Sequence, residues 1–436
     1  MKTQISFVCQ QCGYETSQWM GKCPECGEWN SLKEFKISNF KSQISNKSQI
    51  SNSKPKQLSE VKYEEKTRLK TGFSEADGVL GGGIVPGSVI LLAGDPGIGK
   101  STLLLQVALN LASKQKVLYL SGEESEQQIK LRAQRISADD KNGLSVLSIT
   151  NTDQAISVIE QEAPGLVIVD SIQTMDSEAL AGLSGSVGQV RYAASAFIKA
   201  AKSLNIPIIL VGHVTKEGMV AGPMVLSHMV DTVMFLEGEK NTGTRILRSL
   251  KNRFGPVDEV GVFSMQENGL EEIKNPEQIF LTKGKENAPG SVLVVTMEGT
   301  RAFLVEIQAL VLFSKLPFPR RVVSGFEPKR LELLLAVLQK HGKLAVETMD
   351  VFINVAGGLK LSDPAADLAV CLAIYSSLKN VSLAKTIGIG EVGLLGELRA
   401  VNFLEKRTNQ ARKLGFTNII DSSKHRTLSS VLKTLQ

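Results

Sequence analysis

The run GSVILLAGDPGIGKSTLLLQVALNLA, residues 87–112, decides how the rest of the chain is read. The five apolar residues from Val89 to Ala93 predict a buried strand, and TLLLQVALNLA, starting at Thr102, predicts a helix. Between them stands GDPGIGKS, Gly94 to Ser101, with the spacing of a phosphate-binding loop. Gly94, Gly97 and Gly99 let backbone amides close around phosphate oxygens, Lys100 reaches the β and γ phosphates, and the Ser101 hydroxyl can ligate magnesium. The expected nucleotide-binding segment is therefore Gly94, Asp95, Pro96, Gly97, Ile98, Gly99, Lys100, Ser101 and Thr102, with ATP and Mg2+ as its ligands.

Further strands follow at the intervals that a parallel sheet requires. KVLYLSGEES ends in Glu123 and Glu124, GLVIVDSIQT carries Asp170, and IPIILVGHVTKEG runs into His213 and Lys216. The carboxyl ends of parallel strands face the ligand crevice, so these polar residues are expected to converge on the phosphates. Asp170, after four apolar residues, suits a carboxylate that holds magnesium through water, and Glu123 is the candidate for polarising the attacking water. A helix cap or a loop charge is the alternative role for each.

At 436 residues the chain calls for two or three folding units. Apolar residues at 42% and charged residues at 22% are ordinary globular proportions, and a net charge of +6 is a weak tilt toward anionic partners. MKTQISFVCQQCG lacks the apolar core of a signal peptide and no stretch of 18 apolar residues occurs, so a cytoplasmic protein with no membrane partner is expected. Four of five cysteines, Cys9, Cys12, Cys23 and Cys26, form two CxxC pairs, while Cys371 sits in a buried-helix pattern. Two such turns complete a tetrahedral sulfur cage suited to zinc, with no open position for catalysis. Redox pairs and a rubredoxin-type iron site use the same spacing. Residues 36–57, with five lysines and no acid, read as a flexible basic tether.

A four-cysteine ribbon, then GDPGIGKSTLLLQ, then GHVTKEG with AGPMVLSHMVDTVMFLEG, then KNRFG, resembles the RadA (Sms) family of bacterial DNA-repair proteins across essentially the whole chain. The resemblance implies an α/β protein of three parts: a zinc ribbon (1–35) joined by the linker (36–57) to a RecA-like ATPase domain with a mostly parallel sheet (58–275), and a Lon-protease-like domain (276–436). It further implies single-stranded and branched DNA as partners, ATP-driven branch migration, a RecA-type recombinase as co-worker and a homo-hexameric ring. A replicative-type helicase and an ATP-regulated adaptor are the competing functions.

In KNRFG, alternation along an extended segment points Lys251 and Arg253 to one side. Ring ATPases use such cations as fingers on a neighbour's γ-phosphate, and the resemblance implies that the pentapeptide couples ATP to DNA movement. Lys251 can equally hold a DNA phosphate. The loops expected to face DNA are residues 175–191 and 215–224, whose only cations are Arg191 and Lys216. In the last third, Gly357 to Ala369 resembles the Lon nucleophile segment, with Ala365 where the serine stands and Glu405 where the lysine stands. Neither can do the dyad's chemistry. A basic surface of Lys315, Arg320, Arg321, Lys329 and Arg330 is the remaining DNA-facing candidate.

Overall fold

Alternating and continuous apolar runs separate here into three main sheets with different tasks. The computed structural model describes residues 5–9, 15–25, 27–36, 68–137, 143–180, 182–213, 223–238, 243–273, 288–383 and 385–435. Cys12, Cys26, residues 37–57 of the expected linker, Lys216 and the 275/276 boundary lie outside them. The chain divides into two compact units, one built from residues 1–237, 246–257 and 265–272, the other from 238–245, 258–264 and 273–436.

The ribbon at the start of the first unit is a three-stranded antiparallel sheet of β1 (Ile5–Cys9), β2 (Glu15–Thr16) and β3 (Leu32–Lys36), ordered β2-β1-β3. Next come α1 (Ser74–Val79), β4 (Val89–Gly94), α2 (Lys100–Ala112), β5 (Val117–Ser121), α3 (Glu126–Ile136), β6 (Leu144–Ser148), α4 (Thr152–Glu162), β7 (Leu166–Asp170), α5 (Val187–Leu204), β8 (Ile208–His213) and α6 (Pro223–Met229). Then follow β9 (Thr232–Glu237), β10 (Thr244–Asn252), β11 (Val260–Gln266) and β12 (Gly269–Glu272). One sheet takes β4 to β12 in the order β12-β11-β10-β9-β4-β8-β7-β5-β6, parallel from β9 through β6. Its centre is continuous hydrocarbon, as the sequence requires of a sheet covered on both faces. Val89, Leu91, Val167, Val169, Ile208 and Leu210 pack with Ala193, Phe197 and Ala201 of α5 and with Ala155 and Ile159 of α4. Each aliphatic side chain buried in this way contributes about 1.5–3 kcal/mol, so the strand ends that carry the polar residues stand on a rigid base.

The turn leaving β5 is fixed locally. Ser125 Oγ accepts from Gln128 N while the Gln128 side chain accepts from Ser125 N, a reciprocal cap that starts α3 just after Glu123 and Glu124.

The second unit holds β13 (Ser291–Glu298), β14 (Arg301–Phe313), β15 (Arg321–Ser324), α7 (Pro328–Lys340), β16 (Met349–Val355), α8 (Asp367–Lys379) and β17 (Ile387–Ile389). A short hairpin of β18 (Glu391–Val392) and β19 (Leu398–Arg399) follows, then α9 (Leu404–Lys413), β20 (Ile419–Asp421) and α10 (Leu428–Thr434). Its six-stranded sheet is mixed, ordered β15-β16-β14-β13-β17-β20. Cys371 lies fully buried on α8, where burial pushes its thiol well above the usual range. No described helix is long and apolar enough to cross a membrane.

Candidate nucleotide site

The loop between β4 and α2 needs glycine where its backbone leaves the region open to other residues. Gly94 has φ +152°, and a Cβ there would lie 2.3 Å from the carbonyl oxygen of Leu236. Gly99, with φ +113°, is the residue from which α2 starts, and a Cβ there would lie 2.5 Å from the Met265 methyl. Asp95, Pro96 and Gly97 form the exposed tip, Ile98 is buried beneath it, and Ser101 and Thr102 are half-buried in the first turn of α2. Lys100 turns back over the loop, donating to Gly94 O at 2.8 Å and Asp95 O at 2.9 Å. It is only 3% exposed. Burial lowers its pKa, while the charges of Asp170, Asp95 and Glu123 pull the other way. A cation held among three carboxylates at a helix N-terminus is arranged to receive a polyphosphate.

Strand register brings the other candidates to the same edge. Gly94 pairs with His213, and Ser121 with Asp170, so the ends of β4, β8, β7 and β5 line up. Asp170 is buried, and its Oδ2 accepts a 2.5 Å hydrogen bond from Tyr119 Oη. Burial, with the Asp170 charge and hydrogen bond adding to it, pushes the Tyr119 phenol well above its ordinary range, so it stays a donor. Glu123 is more exposed; its Oε1 accepts from Ser171 Oγ at 2.5 Å and lies 3.2 Å from His213 Nε2. Asp170 and Ser101 offer oxygen donors, the kind a hard divalent cation takes.

Comparison with known proteins now bears on these features. Residues 55–219 match the family described as an AAA domain, and residues 7–34 match a rubredoxin metal binding domain. DNA repair protein RadA of Bacillus subtilis is 47% identical over 426 residues, covering 96% of this chain and 92% of the relative. RadA of Haemophilus influenzae is 49% identical over 422 residues, covering 96% and 92%, and RadA of Halalkalibacterium halodurans is 45% identical over 430, covering 97% and 93%. The chain belongs to the RadA family. A crystal structure of the RadB recombinase aligns with 47% of this chain and all of its own at 24% identity and a TM-score of 0.38, too distant to carry an argument.

In this RadA-family chain the structure does not bring Lys251 and Arg253 to Lys100. Asn252 pairs with Thr232, and Thr232 with Ile90, so KNRFG sits level with the start of β4 while Gly94 ends it. Four residues at the strand rise separate the two levels by roughly 13 Å. Both cations bind within the same subunit: Lys251 Nζ donates to Ser227 O at 2.7 Å, and Arg253 lies 3.2 Å from Asp231 Oδ1. Burial and the nearby Arg253 lower the Lys251 pKa. Asn252 and Gly255 have structural tasks: Asn252 Oδ1 accepts from Phe254 N at 3.0 Å, and a Cβ on Gly255 would lie 2.9 Å from Gly81 Cα. The segment is a tight Asx turn with two cations on its rim.

Of the RadA-family ribbon cysteines described, Cys9 and Cys23 are buried together with Leu32. The Cys23 turn closes through Gly27 N donating to Cys23 O at 2.9 Å, with Gly27 at φ +74°. Two buried thiols beside a rigid glycine turn fit half of a sulfur cage.

Two expectations need correction. The segment 175–191 is not one open loop: α5 starts at Val187 and takes Arg191 into a helix. The buried Gln189 amide donates to Ser177 O and Leu180 O and accepts from Ser177 N, pinning the remainder. Two members of the basic surface are engaged internally. Arg330 holds the buried Asp367 in a two-pronged pair, and Arg321 donates to the carbonyls of Val346 and Met349. Residues that sequence reasoning passed over are Tyr119, Ser171 and Asp231. Tyr119 reads as one more apolar strand residue, and only the β5–β7 register shows that it lies diagonally across from Asp170 on one face.

Proposed function

We propose that this chain is an ATP-driven DNA motor acting in recombination and DNA repair. The observation that carries the reading is the meeting of Lys100, Asp170 and Glu123 at one edge of a parallel sheet, in a chain of the RadA family. Lys100 leaves the Gly94 and Asp95 carbonyls to hold the terminal phosphates, while loop amides bind the remaining oxygens. Bound magnesium supplies charge neutralisation there, with Ser101 and Asp170 as its protein donors and Tyr119 fixing the carboxylate's orientation. Glu123, restrained by Ser171 and close to His213, orients and polarises the water. Single-stranded and branched DNA are the track, a homo-hexamer is the working assembly, a RecA-type recombinase is the co-worker, and the cytoplasm is the compartment. The domain limits proposed are 1–35, 36–57, 58–275 and 276–436.

The Lon-protease-like unit acts as scaffold rather than peptidase. Ala365 is wholly buried among Val295, Leu304, Ile387 and Ile389, and Glu405 is exposed at the start of α9. Steady-state ATP hydrolysis with and without oligo(dT) tests the whole reading: turnover should rise several-fold with DNA while unfolded casein stays intact. Turnover indifferent to DNA favours the adaptor function and sinks the motor.

Zinc is the proposed ribbon metal, held by Cys9, Cys12, Cys23 and Cys26. Cys23→Ser should lose the metal and unfold the ribbon while the ATPase core melts as before, because structural zinc supplies its own domain's folding energy. Mass spectrometry of metal content checks this; stoichiometric iron, or no metal, in the unmodified protein defeats it.

A further inference from the structure

Trp19 and Trp29 are the chain's only tryptophans, and the ribbon displays both rather than burying them, at 57% and 68% exposed. Indole is among the side chains that gain most from burial, so two on one small platform point to something that covers them. A Cβ added to Gly21 would lie 3.8 Å from Trp19 Cη2 and 3.9 Å from Trp29 Cζ3. The glycine thus leaves a notch between two ring edges. Lys22 follows directly, its Nζ 5.6 Å from the centroid of the Trp29 ring. The buried Cys9, Cys23 and Leu32 make the ribbon's small core, with Phe7 and Met20 packed against it.

We propose that this face of the ribbon is a second contact for single-stranded nucleic acid, with unpaired bases stacking on Trp19 and Trp29 and the Lys22 ammonium, which lies over the Trp29 ring, turning to phosphate. Charge selects this partner over a protein. In sequence the ribbon is followed directly by residues 36–57, which carry five lysines and no acid. Aromatic faces flanked by cations are the means by which proteins hold single strands without sequence preference. The proposal rests on the reading that the chain engages single-stranded DNA, and names a place for it outside the ATPase ring.

The test uses the full-length, metal-loaded protein and one titration with two signals. Anisotropy of dye-labelled oligo(dT) reports binding anywhere on the chain, and tryptophan emission, excited where tyrosine does not absorb, reports on Trp19 and Trp29 alone. Emission should be quenched in step with the anisotropy. Trp29→Ala and Trp19→Ala should each weaken binding about tenfold, the usual worth of a stacked base. Trp29→Phe, which keeps a ring, should recover most of the affinity, and unchanged metal content confirms that the ribbon is folded in each variant. Binding with unquenched emission overturns the ribbon contact but leaves the motor reading standing, and the pair is then a protein-docking surface. No binding at all overturns both.

Discussion

Lys100→Ala lowers ATP turnover by about three orders of magnitude while the protein stays folded. The ammonium is the buried cation at the loop, and among the described residues no other lysine or arginine hydrogen-bonds to the loop, so none of these is placed to take over the terminal phosphates. Folding tolerates the change because the lost groups are two bonds to loop carbonyls and an ammonium whose burial was itself unfavourable. The measurement is phosphate release at saturating ATP, with a thermal melt as the folding control. Turnover within tenfold of the unmodified protein would mean that the nucleotide site is elsewhere.

Arg253→Ala and Lys251→Ala should behave differently. Both lie at the opposite end of the central strands from their own loop, so each variant should bind ATP with unchanged affinity. Hydrolysis should nonetheless fall by a factor on the order of a thousand or more, the range for loss of a finger supplied by a neighbour. The decisive experiment mixes two inactive proteins. Lys251→Ala subunits with Lys100→Ala subunits should regain activity, because a mixed ring holds interfaces where an intact loop meets an intact finger. Normal DNA-free hydrolysis by the single variants, with no recovery on mixing, assigns the pair to gripping DNA. Loss of ATP binding in Lys251→Ala defeats both versions.

Local chemistry made much of the nucleotide site legible. Gly94 and Gly99 are written into the sequence because no other residue fits their backbone, and Asp170 because four apolar residues precede it. What stayed hidden depends on register. Tyr119 looks like core until β5 is laid beside β7, and Asp231 looks like a loop acid until Val89, Lys202 and Arg253 are seen around it. Arg330 shows the opposite error. A cation at the start of a helix reads as surface, and only the return of α8 reveals the buried Asp367 that it neutralises.

Asp231 has a consequence for timing. Its carboxylate accepts from Val89 N at 3.0 Å and Lys202 Nζ at 2.6 Å, and lies 3.2 Å from the Arg253 guanidinium. The first two partners, with the Arg253 contact adding to them, hold its pKa down against burial. If Arg253 swings away, the carboxylate keeps an amide and an ammonium, so departure costs on the order of 1 kcal/mol, typical of a half-exposed ion pair. If Arg253 is the finger proposed above, Asp231 would be a berth that is easily left: it would hold and orient the arginine until a phosphate of higher charge drew it off, and its own charge would stay partnered.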